Sequence, residues 1–230
     1  MTFTGIEILK ATSSQPTAAL VFLHGTGSSG LECKTNFMKF LGAHGHKYID
    51  IYLPTARERY LKIQDKVTTF WFDAVRTGSD NMDVEGSTKD ADEVSAKLEE
   101  IVSKIEATGI PRERIAIGGM SQGGMVSVYA AYVRGIKVGA VVSISASFPF
   151  HNNSKFLPKP TVPLLSIYGQ QDAFIMPRVM DAVWKLFRMN KIPFTPKSLV
   201  KSGHPLDANY AKIMFEWLEK RFALEEEDGY

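Results

Sequence analysis

Short apolar runs alternate along the chain with segments whose apolar positions recur every three or four residues. The runs are ALVFLH (19–24), YIDIYL (48–53), RIAIGG (114–119), KVGAVVSIS (137–145) and VPLLSIYG (162–169). TPKSLV (195–200) is more polar and is expected nearer a sheet edge. Apolar runs of this length, with little polar alternation, suit strands covered on both faces. With helical segments between them, they predict a mostly parallel central sheet with helices on both faces. The clearest helix is 88–107. Ser87 can cap it, with Asp90 three residues on, and Ala91, Val94, Leu98, Ile101 and Ile105 form one apolar stripe. Gly109 and Pro111 stop it. Further helices are predicted near 34–42, 122–134, 177–190 and 208–221, with Pro177 suited to a first turn.

Composition narrows the organisation. The chain has 230 residues, 44% of them apolar, enough for one sizeable core, so 1–230 reads as a single α/β domain. The acidic end EEEDGY (225–230) reads as a solvated, frayed tail. With 27 basic and 25 acidic residues and no basic patch, nucleic acid is not an expected partner. The single cysteine, Cys33, excludes an intrachain disulfide framework and a multi-cysteine metal site. The N-terminal stretch lacks the pattern of a signal peptide, and no apolar run approaches the roughly 18 residues of a spanning helix. Neither end carries a lipidation motif. The expectation is a soluble, cytoplasmic protein with at most transient membrane contact.

Alternating strands and helices would also suit a nucleotide-binding protein. That reading needs a glycine-rich phosphate loop. HGTGSSG (24–30) has the wrong spacing for one, and GxxxxGK[ST] does not occur.

Gly119-Met120-Ser121-Gln122-Gly123 fits G-x-S-x-G between a strand-like and a helix-like run. In that context a serine sits on a tight strained turn, and the flanking glycines let strand and helix approach. The turn also aims the positive end of the helix dipole at the hydroxyl. A serine hydroxyl needs a base, and the base an orienting carboxylate, in the chain order Ser, Asp or Glu, His. Two histidines follow Ser121. His204, in VKSGHPLD, lies between the last strand and the last helix, where a base can reach back over the sheet. His151 lies in the polar stretch FPFHNNSKF and reads as a surface residue; His44 and His46, before the serine, read as turn residues. Asp172 follows a buried strand in SIYGQQDAF, whereas Asp181 falls inside a helix and Asp207 lies too near His204 in the chain. The oxyanion donors are expected to be the backbone N–H groups of Gln122 and of Thr26, in the loop after the first apolar run.

These pieces, LHGTGSSG, YLPTA, FWFD, GIPRERIAIGGMSQGGMVS, YGQQD and SGHPL, resemble the acyl-protein thioesterase and lysophospholipase-like group of the α/β-hydrolases, in order from about Val21 to Trp217. The resemblance implies an α/β-hydrolase fold and a Ser121-Asp172-His204 esterase or thioesterase that needs no metal or cofactor. Its substrates would be S-acylated proteins, with fatty acyl groups removed from cysteines, or small acyl esters. Members commonly read HGLGD where this chain has His24-Gly25-Thr26-Gly27-Ser28, a change at the rim and not in the reacting groups. By position in the family, Trp71 and Phe72 either line the acyl groove or pack in the core. SFPFHNNSKFLPKPT leaves no room for a large cap domain, which implies an open site. Two alternatives stay open: a carboxylesterase or lysophospholipase with the same triad, and a catalytically silent binding protein on the same fold.

Overall fold

The computed structural model describes residues 3–41, 46–78, 84–152 and 154–223. Its strands are β1 (Phe3–Leu9), β2 (Ala18–Leu23), β3 (Ile49–Ala56), β4 (Glu58–Leu61), β5 (Lys66–Thr69), β6 (Ala74–Arg76), β7 (Val84–Gly86), β8 (Ile115–Met120), β9 (Ala140–Ile144), β10 (Leu164–Gly169) and β11 (Phe194–Leu199). The helices are α1 (Gly30–Leu41), α2 (Thr88–Glu106), α3 (Gln122–Tyr132), α4 (Pro177–Met189) and α5 (Ala208–Arg221). Seven strands form one sheet in the order β1-β3-β2-β8-β9-β10-β11. Only β1 runs antiparallel to its neighbour. This is the α/β-hydrolase fold.

The period-two geometry of a strand divides the core in two. Ala19, Val21 and Leu23 of β2 face a cluster that includes side chains of α2, α3 and α4. Ala18, Leu20 and Phe22 face the other way, into a cluster with Cys33 and Phe37 of α1 and Tyr210 and Met214 of α5. Because both faces are covered, all six residues of β2 are buried, which is why the strand reads as an unbroken apolar run.

The five helices and six predicted strands stand within a few residues of their expected bounds, and β11 is an edge strand as its polarity implied. Ser87 caps α2, its hydroxyl accepting the N–H of Asp90 at 3.2 Å, and every residue of the predicted stripe is buried. Two regions differ from expectation. β1 adds an edge strand that the pattern did not announce. Its Ile6 and Ile8 stay 43% and 37% exposed, so backbone pairing with β3 holds it in place of a buried stripe. The segment after β3 folds into two small hairpins, β4–β5 and β6–β7. The acidic tail 225–230 and His44 lie outside the described residues. His46 is no simple turn residue: it is buried, with Nε2 2.9 Å from the Lys10 carbonyl oxygen and its ring against Phe215. No described helix is long and apolar enough to cross a membrane.

Candidate active site

Ser121 follows β8 and precedes α3, at the carboxyl end of a central parallel strand, where open α/β sheets bind ligands. Its backbone stands at φ 51°, ψ −124°, a region that L-residues rarely occupy. Two hydrogen bonds hold it there: Ser121 N–H donates to Ile144 O at 2.8 Å, and Met125 N–H to Ser121 O at 3.0 Å. The flanking glycines are required by space. A Cβ on Gly119 would sit 2.5 Å from the Gly123 carbonyl carbon, and one on Gly123 would sit 2.1 Å from the Leu23 oxygen. The start of α3 thus lies tight against the end of β2. Strain of this kind persists only where the surroundings over-determine it.

Asp172 follows β10, and its side chain is fully buried. Its Oδ1 accepts the N–H groups of Phe174 at 2.8 Å and Ile175 at 2.7 Å, and its Oδ2 lies 2.8 Å from Nδ1 of His204. Burial pushes its pKa up, but the hydrogen bond from His204 and those from the backbone N–H groups outweigh it, so the carboxyl stays below its ordinary range and ionised. His204 follows β11, and the loop that carries it is drawn back across the sheet. Gln171 N–H donates to Ser202 O at 3.1 Å. Tyr210 of α5 donates its hydroxyl to Gly203 O at 2.7 Å and takes a hydrogen from the Ser145 hydroxyl at 3.1 Å, just past the end of β9. The residue before the histidine is thereby tied, through Tyr210, to the end of the strand next to that of Ser121. Among the described residues no hydrogen bond joins the Ser121 hydroxyl to His204. The exposed Phe174 ring lies 5.1 Å from the His204 ring.

The loop after β2 passes beside Ser121: a Cβ on Gly25 would be 3.4 Å from that of Ser121. Buried His24 shapes this loop. Ala56 N–H donates to its Nε2 at 3.0 Å, so the ring hydrogen is on Nδ1 and goes to Gly25 O at 2.6 Å. Burial lowers its pKa, which keeps the ring neutral. Thr26 N–H takes no partner among the described residues. Gln122 is the first residue of α3, so its N–H has no carbonyl within the helix to bond.

Trp71 and Phe72 do not wall an open groove. They are 0% and 1% exposed, and the Trp71 indole donates to His24 O at 2.7 Å. Of the two sequence readings, core packing holds. The Gln122 side chain also proves part of the structure: its Oε1 accepts the N–H of Trp71 and its Nε2 donates to Phe72 O, each at 3.0 Å. No spacing rule could have signalled this, because the partners are 51 and 50 residues apart. His151, set aside as a base, is exposed, with its Nδ1 3.3 Å from the Phe148 carbonyl oxygen.

The profile of the phospholipase/carboxylesterase family matches residues 4–221. The chain is 30% identical over 214 residues to lysophospholipase-like protein 1 of Mus musculus, covering 89% of this chain and 87% of that one. It is 31% identical over 176 residues to acyl-protein thioesterase 1 homolog 2 of Dictyostelium discoideum, covering 74% and 75%. Among solved structures, Zea mays acyl-protein thioesterase 2 superposes with a TM-score of 0.78 at 20% identity, over 95% of this chain and 99% of that one. With that match across nearly the whole chain, on an α/β-hydrolase sheet, the protein belongs to the phospholipase/carboxylesterase family of serine hydrolases.

Proposed function

We propose that the protein is an acyl-protein thioesterase, removing fatty acyl groups from protein cysteines, with Ser121, Asp172 and His204 as its triad. The observation that carries the reading is the strained conformation of Ser121 at the head of α3, at φ 51°, on a sheet that also ends in the buried Asp172–His204 pair. Asp172 holds the His204 hydrogen on Nδ1 and leaves Nε2 free to act as base. Ser121 Oγ attacks the acyl carbonyl carbon as its proton passes to Nε2. The tetrahedral oxyanion takes the N–H groups of Thr26 and Gln122. The C–S bond then breaks as Nε2 returns the proton to the leaving thiol. Water attacks the acyl-serine by the same route in reverse, releasing the fatty acid and restoring Ser121. On this reading the bond between the Ser121 hydroxyl and His204 forms with substrate in place, as catalytic hydrogen bonds commonly do.

The second reading, a carboxylesterase or lysophospholipase with the same triad, is favoured by the similarity to a lysophospholipase-like protein over 89% of the chain. Fluorophosphonate labelling of the wild type and of Ser121→Ala, with a chain-length series of acyl thioesters and oxyesters, tests both. A Ser121-dependent adduct and a preference for long-chain thioesters are expected. No adduct on folded protein would refute the enzyme assignment, and a preference for short oxyesters would move it to the second reading.

A further inference from the structure

The two oxyanion donors come from separate pieces of chain: Thr26 from the loop after β2, and Gln122 from the head of α3. They work together only if one oxygen can lie about 2.7–3.1 Å from both. We propose that residues Thr69–Phe72 form a strap that fixes this spacing, and that the Gln122 side-chain amide is its clasp. This inference rests on the proposed oxyanion hole and assigns positioning residues for it.

The strap bonds to both pieces. Toward the loop, Thr69 O accepts the N–H of Gly27 at 2.8 Å, the Thr69 hydroxyl donates to Ser28 O at 2.6 Å, and the Trp71 indole donates to His24 O. These bonds grip the loop on both sides of Thr26. Toward the helix, the strap uses the main chain of Trp71 and Phe72, and Gln122 answers with an acceptor to one and a donor to the other. That pair of bonds sets the orientation of the amide. Because Gln122 is the first residue of α3, holding its side chain holds the peptide whose N–H is the proposed donor. The strap is in turn fastened from outside. The Arg59 guanidinium lies 4.3 Å from the Phe70 ring centroid, pairs with Asp90 at 3.5 Å, and donates to Trp71 O at 3.4 Å. Asp90 also accepts the N–H of Asp73 at 2.8 Å, tying the end of the strap to the first turn of α2. Gln122, Trp71 and His24 are all buried, so water cannot replace a bond that is lost.

The test uses the full chain with Gln122→Met, which keeps the length of the side chain and removes both bonds, and Gln122→Glu, which keeps only the acceptor. Rates are expressed per active site titrated with a fluorophosphonate. For Gln122→Met we expect kcat to fall roughly 10–100-fold, up to the ~10²-fold of a misplaced group and short of the ~10²–10³-fold of a donor lost outright, with KM changed less than about threefold. Binding of an alkylboronic acid, a mimic of the tetrahedral state, should weaken in parallel with kcat/KM. Gln122→Glu should fall at least as far, since it turns a lone pair toward Phe72 O. Should Gln122→Met fail to fold, Thr69→Val, which loses only the bond to Ser28 O, carries the same readout with an expected fall of several-fold in kcat. A loss confined to melting temperature or to the titrated fraction, with kcat per site within twofold of wild type, overturns the strap. Activity that survives Ser121→Ala would instead overturn the enzyme reading beneath it, so the two failures are distinguishable.

Discussion

His204 donates its Nδ1 hydrogen to Oδ2 of Asp172 across 2.8 Å, while Oδ1 of the same carboxylate is occupied by two backbone N–H groups. The carboxylate cannot rotate away, so the tautomer of the histidine is set. In Asp172→Asn the amide oxygen can keep the two backbone bonds, which turns the amide NH2 toward His204 and forces the ring hydrogen onto Nε2. If the proposed triad operates, kcat should fall by roughly 10³–10⁴, as in serine-protease triads with a flipped tautomer, while far-UV circular dichroism stays that of the wild type.

Tyr210 reaches the same histidine through its loop. Its hydroxyl bridges Gly203 O and the Ser145 hydroxyl in a buried site. Tyr210→Phe leaves the Gly203 carbonyl without this donor. A loss of about 1–3 kcal/mol in stability is expected from denaturant melts. Steady-state kinetics should show a several-fold lower kcat, because the loop before His204 is no longer tied down.

Gly123 has no room to grow. A methyl group there would meet the Leu23 carbonyl oxygen at 2.1 Å, and backbone on both sides prevents either from yielding. Gly123→Ala is expected to destabilise by about 1–3 kcal/mol or more and to slow fluorophosphonate labelling of Ser121, because the head of α3 must shift. Unchanged melting and labelling would show that the close approach is not needed.

Acid should loosen the loop beside Ser121. Buried His24 has a depressed pKa, so near its ordinary value of 6.5 the unfolded chain takes up a proton that the folded chain resists. Stability is therefore full above about pH 6.5 and falls as the pH drops below it, because protonation of Nε2 opposes the Ala56 N–H. His46, also depressed by burial, adds in the same direction. Asp172 contributes later, its stabilisation present above its ordinary value of 3.8 and lost as the pH falls below it. Melts from pH 8 to pH 2 should show a plateau and then two successive declines, the second below about pH 3.8. A melting temperature constant down to pH 5 would contradict the role given to His24.

Ser87→Ala offers the contrast of a change in stability alone. Its hydroxyl caps α2 through Asp90 N–H. About 1 kcal/mol of stability should be lost in denaturant melts, with kcat and KM unchanged.

Local pattern determined much of this protein. The buried parallel strands announce themselves as unbroken apolar runs because helices cover both faces of the sheet, and α2 is readable in its cap, stripe and stop. The glycines of GGMSQGG announce a close approach of backbone to backbone, which the structure places at Leu23 and Gly123. Each of these features is decided within a few residues, by period, steric size or a capping hydroxyl. Chain order and the family likeness pointed to Asp172 and His204, and the fold joins them across 32 residues. Only the tertiary structure decided the rest. β1 buries no full stripe and is held by its pairing with β3, so its own residues carry little signal. Trp71 could have lined a groove or filled the core. The choice lay with His24 and Gln122, 47 and 51 residues away, whose polar groups were left to be satisfied once the sheet had brought them together. A hydrogen bond between distant residues depends on where the chain carries both partners, and neither partner's neighbours in sequence encode that.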